Sequence, residues 1–322
     1  MRVCSIKNSL KVGGAITVNV SNARALARSL CNCDEFRCCD ADHAALLPLS
    51  RAPGRRQDAA RQVPLQPAAF GGTLTARFCR HGFNPFKEID VSVTSQWIDI
   101  AAGNDSFQGY LALPKRGSGP AVIIIQEIFG VNSHIRAVAD QYAQDGYVAL
   151  APDIFWRTQP RVELTYTGAD RDKGIEILQK TDVNLAVADI GASAAALRAL
   201  PEVKGKIAAI GYCFGGRLAY LAAAQGTIDA GVAYYGGGIQ NRLEEASKIK
   251  VPMQFHYAEL DHGIPIDAVG QVKERFAGRN DVEFHLYPNA DHGFNCTDRD
   301  SYNPRAAALA HGRTLTFLGE HL

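Results

Sequence analysis

The chain has 322 residues, 47% of them hydrophobic and 21% charged, with a formal net charge of +1. That is enough apolar material for one large core, and the near-neutral balance leaves no electrostatic footprint for nucleic acid. No apolar run reaches the ~20 residues of a membrane-spanning helix, and the stretch Val12–Val20 is too interrupted by Gly13, Gly14, Thr17 and Asn19 to serve as a secretory signal core.

Charge and cysteine are unevenly spread. Residues 1–80 hold twelve Lys/Arg against five Asp/Glu, a net of +7, whereas residues 81–322 hold 22 against 28, a net of −6. Cys4, Cys31, Cys33, Cys38, Cys39 and Cys79 lie in the first part, and only Cys213 and Cys296 in the second. A cysteine-poor second part suits a reducing compartment, so the expected location is cytoplasmic.

Residues 1–88 show no sustained helical or strand period, apart from a short helical stretch at Ser21–Leu30. Arg51-Ala-Pro-Gly-Arg-Arg56 and Val63-Pro-Leu-Gln-Pro67 read as loop or disorder. The expectation is an N-terminal extension without a fold of its own, from a start assigned too far upstream, with the domain pattern beginning near Val91 or Val93. Two readings compete with it. A basic leader is opposed by the acidic residues and cysteines. A metal or redox module on Cys31, Cys33, Cys38, Cys39 and His43 lacks the usual C-x₂₋₄-C pairs.

Residues 89–322 are regular. Ser95–Ala101 and Phe107–Leu113 alternate like an edge hairpin around Gly103-Asn104-Asp105. Ala121–Gln126 is a continuous apolar run, as in a strand covered on both faces. A helix follows near His134–Gln144, then a buried strand at Tyr147–Ala151, a polar loop over Arg157–Gly168, and helices near Asp170–Gln179 and Val183–Leu200. The strand 206–211 leads to Cys213. Asp229–Tyr235, Val251–His256 and Val282–Tyr287 add three strands, with helices near Pro265–Gly278 and Pro304–Leu318. Strands alternating with helices predict a mainly parallel sheet with helices on both faces and a site at the carboxyl ends of the strands.

Gly211-Tyr212-Cys213-Phe214-Gly215-Gly216 stands between a strand and an Ala- and Leu-rich helix. Gly-x-nucleophile-x-Gly at such a turn is the sequence pattern of α/β-hydrolases, here with Cys where Ser is usual. Glycine is needed there because side chains two positions either side of so sharp a turn would collide. The free N–H groups of the following helix favour a thiolate. Asp261 and His292 follow later strands, so nucleophile, acid and histidine come in the order this fold uses. Asp291 is an alternative acid. His256, His262 and His285 read as bystanders, and Glu259 and Asp267 as solvated. Glu127 ends the first central strand, where a carboxylate needs a partner. It reads either as a second base for the Cys213 thiol or as a loop acid paired with an arginine.

Gln126-Glu-Ile-Phe-Gly-Val-Asn132, Gly211-Tyr-Cys-Phe-Gly-Gly216, Asp261 and Asp291-His-Gly-Phe294 together resemble the dienelactone hydrolase family (carboxymethylenebutenolidases), over about residues 93–322. The resemblance implies an α/β-hydrolase fold and opening of an enol-lactone ring by a Cys–His–Asp triad, here Cys213, His292 and Asp261. It further implies that Glu127 holds the resting thiol and then activates it, and that the backbone N–H groups of Phe214 and Ile128 form the oxyanion hole. No metal, organic cofactor, nucleic acid or membrane partner is implied. The expected partner is a small lactone or ester, and the expected state is a monomer. The family's founding enzymes bind a substrate carboxylate with two arginines. Arg171 stands at comparable spacing to one of them. Cys296 occupies the place of the other, with Arg299 further on, and Ile175 and Leu178 replace pocket aromatics. Arg171 is therefore either a substrate-binding residue or an exposed helix residue, and Tyr234 either lines the pocket or packs. The functions that compete with lactone hydrolysis are an esterase or thioesterase on other small activated acyl groups, a binding protein on the same fold, and a redox thiol.

Overall fold

A computed structural model describes residues 93–322. The chain divides into two units, Met1–Arg80 and His81–Leu322, and every described residue belongs to the second. The readings made of residues 1–88, including the cysteine pairs and the boundary at 88, lie outside the described residues.

Thr94–Ala102 (β1) and Asp105–Leu113 (β2) pair antiparallel around Gly103, whose φ of 67° only glycine adopts without strain. The remaining strands are Gly119–Ile125 (β3), Val148–Pro152 (β4), Val203–Tyr212 (β5), Ala230–Tyr234 (β6), Met253–Ala258 (β7) and Val282–Tyr287 (β8). One eight-stranded sheet results, in the order β1-β2-β4-β3-β5-β6-β7-β8. β2 meets β4 antiparallel, and every pair from β4 to β8 is parallel.

The helices are Ser133–Gln144 (α1), Gly168–Lys180 (α2), Val183–Ala199 (α3), Phe214–Ala224 (α4), Ile266–Arg275 (α5) and Pro304–His321 (α6). The β3-α1-β4 crossover steps one way along the sheet, while the crossover through α3 into β5 steps the other way. Right-handed connections therefore put α1 and α3 on opposite faces. Packing agrees: α1 touches α6 through Tyr142 and His311, with ring centres 5.1 Å apart, while α3 packs on α4. Ala121–Ile125 lie between the two layers with no exposed surface, which is why they form an unbroken apolar run. The chain reverses its direction of growth between β3 and β5, and sheets of this kind hold their ligands outside the carboxyl ends of the strands at such a point.

Element boundaries differ from expectation by at most three residues, and β8 matches at both ends. The additions are two short 3₁₀ segments, Ile239–Asn241 and Leu243–Lys248, between β6 and β7. Asn132 is the N-cap of α1, its side chain accepting from Ile135 N at 3.2 Å. Among the described residues no helix is long and apolar enough to cross a membrane.

Candidate active site

β5 ends at Tyr212 and α4 begins at Phe214, so Cys213 alone makes the turn. Its φ of 55° and ψ of −113° are strained for any residue with a side chain. The turn closes because its neighbours have no Cβ. One added at Gly211 would strike the carbonyl of Gly215, and one at Gly215 would strike that of Ile125. One at Gly216 would come within 2.8 Å of Tyr234 O. Cys213 N–H donates to Tyr234 O at 3.0 Å, which ties the turn to β6. The thiol is free and half-buried, facing a helix end whose first N–H groups have no intrahelical acceptor.

Asp261 follows β7 and His292 follows β8. Asp261 is 4% exposed, and Oδ1 accepts from Gly263 N at 2.8 Å and Ile264 N at 3.1 Å. That turn leaves Oδ2 facing His292 Nδ1, 2.7 Å away. The Cys213 sulfur lies near enough for its charge to act on the imidazole. Burial works to lower the His292 pKa. It is outweighed by the charge at the Cys213 sulfur and by the hydrogen bond and charge of Asp261, and the group is pushed up to about 10. The imidazole therefore stands between a carboxylate and a sulfur, with Asp261 fixing which nitrogen faces the carboxylate.

Carrying the parallel β3–β5 register, in which Ile125 faces Gly211, two residues further sets Glu127 across from Cys213. Glu127 is 1% exposed. Its Oε1 accepts from Arg299 Nη1 at 3.1 Å, while Oε2 is buried with no partner among the described residues. The resting contact expected between Glu127 and the thiol is thus replaced by an ion pair. The nearby guanidinium is the stronger partner for a buried carboxylate, and the charge at the Cys213 sulfur acts on His292 instead.

Around this pair lie Tyr166, Tyr235, His134 and Cys296, all of which feel the Glu127 charge. Burial first, and then that charge, push the Cys296 thiol up to about 12. Burial lowers the His134 imidazole. The Tyr235 ring centre lies 5.0 Å from that of His292, and its hydroxyl has no partner among the described residues.

Phe214 is the first residue of α4, so its N–H is one the helix leaves open. Ile128 directly follows Glu127, and α2 packs on it so closely that a Cβ at Gly174 would come within 2.7 Å of Ile128 O. Arg171 lies one turn earlier in α2, exposed to solvent. Tyr234 does not line the site. It is fully buried, its hydroxyl sharing a 2.8 Å hydrogen bond with Thr314 and its ring stacked 4.3 Å from that of His256. The next residue occupies the place expected of it: β6 ends at Tyr234, and a φ of 36° at Tyr235 turns that ring toward His292.

Two residues near Cys213 escaped sequence reasoning in the places they take. Arg299 was noted only as a distant candidate for the substrate, and the requirement that a buried Glu127 find a cation was the signal for it. Arg217 was not singled out, although an arginine one turn into the helix behind a nucleophile stands against the helix dipole. Among the described residues no group of three or more His, Cys, Asp or Glu is arranged to hold a metal ion.

Comparison with known proteins gives consistent results. The profile of the dienelactone hydrolase family matches residues 107–322. A carboxymethylenebutenolidase of Pseudomonas sp. (strain P51) is 36% identical over 219 residues, covering 68% of this chain and 92% of that protein. One from Pseudomonas putida is 34% identical, covering 66% of this chain and 91% of its own. A solved structure from Klebsiella pneumoniae subsp. pneumoniae, provisionally named a dienelactone hydrolase, superimposes with a TM-score of 0.62 at 28% identity. It covers 71% of this chain and all of that one.

Proposed function

Because this chain belongs to the dienelactone hydrolase family, we propose that it hydrolyses enol-lactones or closely related activated carboxylic esters, of the type that opens a dienelactone to maleylacetate, with Cys213 as nucleophile. The observation that carries this reading is the His292 imidazole, hydrogen-bonded to Asp261 and raised in pKa by the charge at the Cys213 sulfur.

The chemistry follows from those contacts. The Cys213 thiol gives its proton to His292, and Asp261 steadies the imidazolium. The sulfur attacks the lactone carbonyl, forming a C–S bond while the carbonyl electrons move onto oxygen. The N–H groups of Phe214 and Ile128 receive that oxyanion. Its collapse breaks the ring C–O bond and expels an enolate, whose charge is already delocalised and which then takes the proton held by His292, leaving an acyl-thioester and a neutral imidazole. Water then attacks the thioester. His292 takes one of the water's protons, and the carboxylate product departs as the sulfur is released. A thiolate suits this substrate class because the leaving group needs little help from an acid. Glu127, paired with Arg299 through Oε1 and with Oε2 unpartnered among the described residues, supplies a second acceptor for the thiol proton. We place the enzyme in the reducing cytoplasm, where Cys213 and Cys296 stay free.

The test is hydrolysis of a dienelactone by wild type, Cys213→Ala and Cys213→Ser, with mass spectrometry of the quenched protein. The expected result is an acyl adduct on wild type alone and a loss of about 10⁴-fold in Cys213→Ala. Turnover that survives Cys213→Ala removes the reading.

A further inference from the structure

Arg217 lies four residues after Cys213, one turn into α4. Helical side chains lean toward the helix N-terminus, so its stem runs back toward the turn that carries the thiol. The guanidinium carbon stands 5.2 Å from the centre of the Phe214 ring. On its other side it rests on Gly238, at φ 88°, where an added Cβ would come within 2.7 Å of Nη1 and 3.2 Å of Cδ. Gly237 beside it faces open space, with nothing within 4 Å of an added Cβ. The strip Gly236-Gly237-Gly238 starts directly after Tyr235, the residue whose ring lies 5.0 Å from that of His292. Arg217 therefore rests on a strip without side chains that begins beside the tyrosine next to the imidazole.

The environment of Arg217 is unfinished. The residue is half-buried, and its Nε is buried without a hydrogen-bond partner among the described residues. The charges it feels are the Cys213 sulfur and the like-charged Arg242, and no ion pair among the described residues includes it. A partly desolvated guanidinium without an anion is costly, and a cation at this end of a helix opposes the dipole. The other two arginines near the site differ. Arg299 is committed to Glu127, and Arg171 is exposed on α2.

We propose that Arg217 reads an anionic group on the substrate: its guanidinium receives a carboxylate carried by the acyl portion, which lies along the Gly236–Gly238 strip while its ester carbonyl meets Cys213. The planar fork of arginine matches a carboxylate through two parallel N–H bonds, giving orientation as well as affinity. This rests on the hydrolase reading above.

The test pairs p-nitrophenyl monoesters of the dicarboxylic acids from glutarate to suberate with the neutral p-nitrophenyl esters of equal length. Wild type is expected to favour a carboxylate-bearing member by kcat/KM. In Arg217→Gln that preference falls roughly ten- to a hundredfold, the size of a charged hydrogen bond, mainly through KM. Arg217→Lys, which keeps the charge, retains part of it. The proposal is overturned by a wild type that prefers the neutral ester, or by a ratio unmoved in Arg217→Gln. It is equally overturned if the ratio falls in Arg171→Gln instead, or if both esters lose equally, which means Arg217 acts through the sulfur. Turnover of either ester by wild type keeps the hydrolase reading standing in all of these cases, and turnover of neither removes both.

Discussion

Two histidines near the ends of β7 and β8 live in opposite surroundings. His256 is fully buried and has both ring nitrogens engaged. Nδ1 meets Tyr287 Oη at 2.7 Å, and Nε2 meets Gln254 Oε1 at 2.8 Å and Thr314 Oγ1 at 3.1 Å. Burial, followed by the charges of His285 and Arg313, holds its imidazole well below the usual range. His292 is pushed the other way by Cys213 and Asp261. Around His256 the polar atoms answer one another. Around His292 they do not: Glu127 Oε2, Tyr235 Oη, His134 Nε2 and Arg217 Nε are four of the seven buried side-chain atoms without a partner among the described residues. A closed network specifies packing, whereas an open one leaves capacity for something outside the chain.

The largest consequence falls on rate. His292→Ala removes the base and is expected to cut kcat/KM on a dienelactone by about 10³–10⁴-fold, with a urea midpoint near that of wild type. His256→Ala should do the reverse. It leaves a cavity and orphans Tyr287, Gln254 and Thr314, costing about 3 kcal/mol of stability, while turnover per folded molecule changes little. If His256→Ala abolishes turnover in folded protein, the division between the two clusters is wrong.

How much of this division was legible beforehand depended on how local each signal was. The sheet could be read because β3 and β5 are fully covered along most of their length and so appear as apolar runs. Glycines at 211, 215 and 216 could be read because each answers a collision within a few residues or with the adjacent strand. Arg299 could not be assigned to Glu127, because the contact spans 172 residues, and burial of a carboxylate says only that some cation must reach it. Tyr234 and Tyr235 could not be told apart, since the choice turns on where β6 stops and on a positive φ at the second tyrosine.

The Arg299–Glu127 pair belongs to the open cluster yet contributes to the fold. Removing one partner of a buried pair leaves the other charge stranded, at about 3–5 kcal/mol when both are fully buried. Arg299 keeps 22% of its side chain exposed, so Arg299→Gln is expected to cost less, about 2 kcal/mol in urea unfolding. Glu127→Gln in the same chain should recover part of that loss. A double variant no more stable than the single one would mean that Arg299 stabilises through its packing over Phe129 and Tyr166, 5.9 and 5.6 Å away, rather than through the carboxylate.

The smallest effect is the most discriminating, because the two histidines give pH dependence of opposite sign. His256 takes up a proton less readily folded than unfolded, so its contribution falls as pH drops below its ordinary value of about 6.5. His292 holds its proton more tightly folded. Its contribution is complete below about 6.5, declines as pH rises, and is gone above its folded value of about 10. An alkaline limb in kcat/KM should appear near that value in wild type. Asp261→Asn removes one of the influences that raise it, so the His292 midpoint, followed by the ring resonances in NMR, should move downward. The change is in the midpoint and is separable from the loss of rate. An unmoved midpoint would mean that the sulfur alone sustains the imidazolium, leaving Asp261 only the task of aiming the ring.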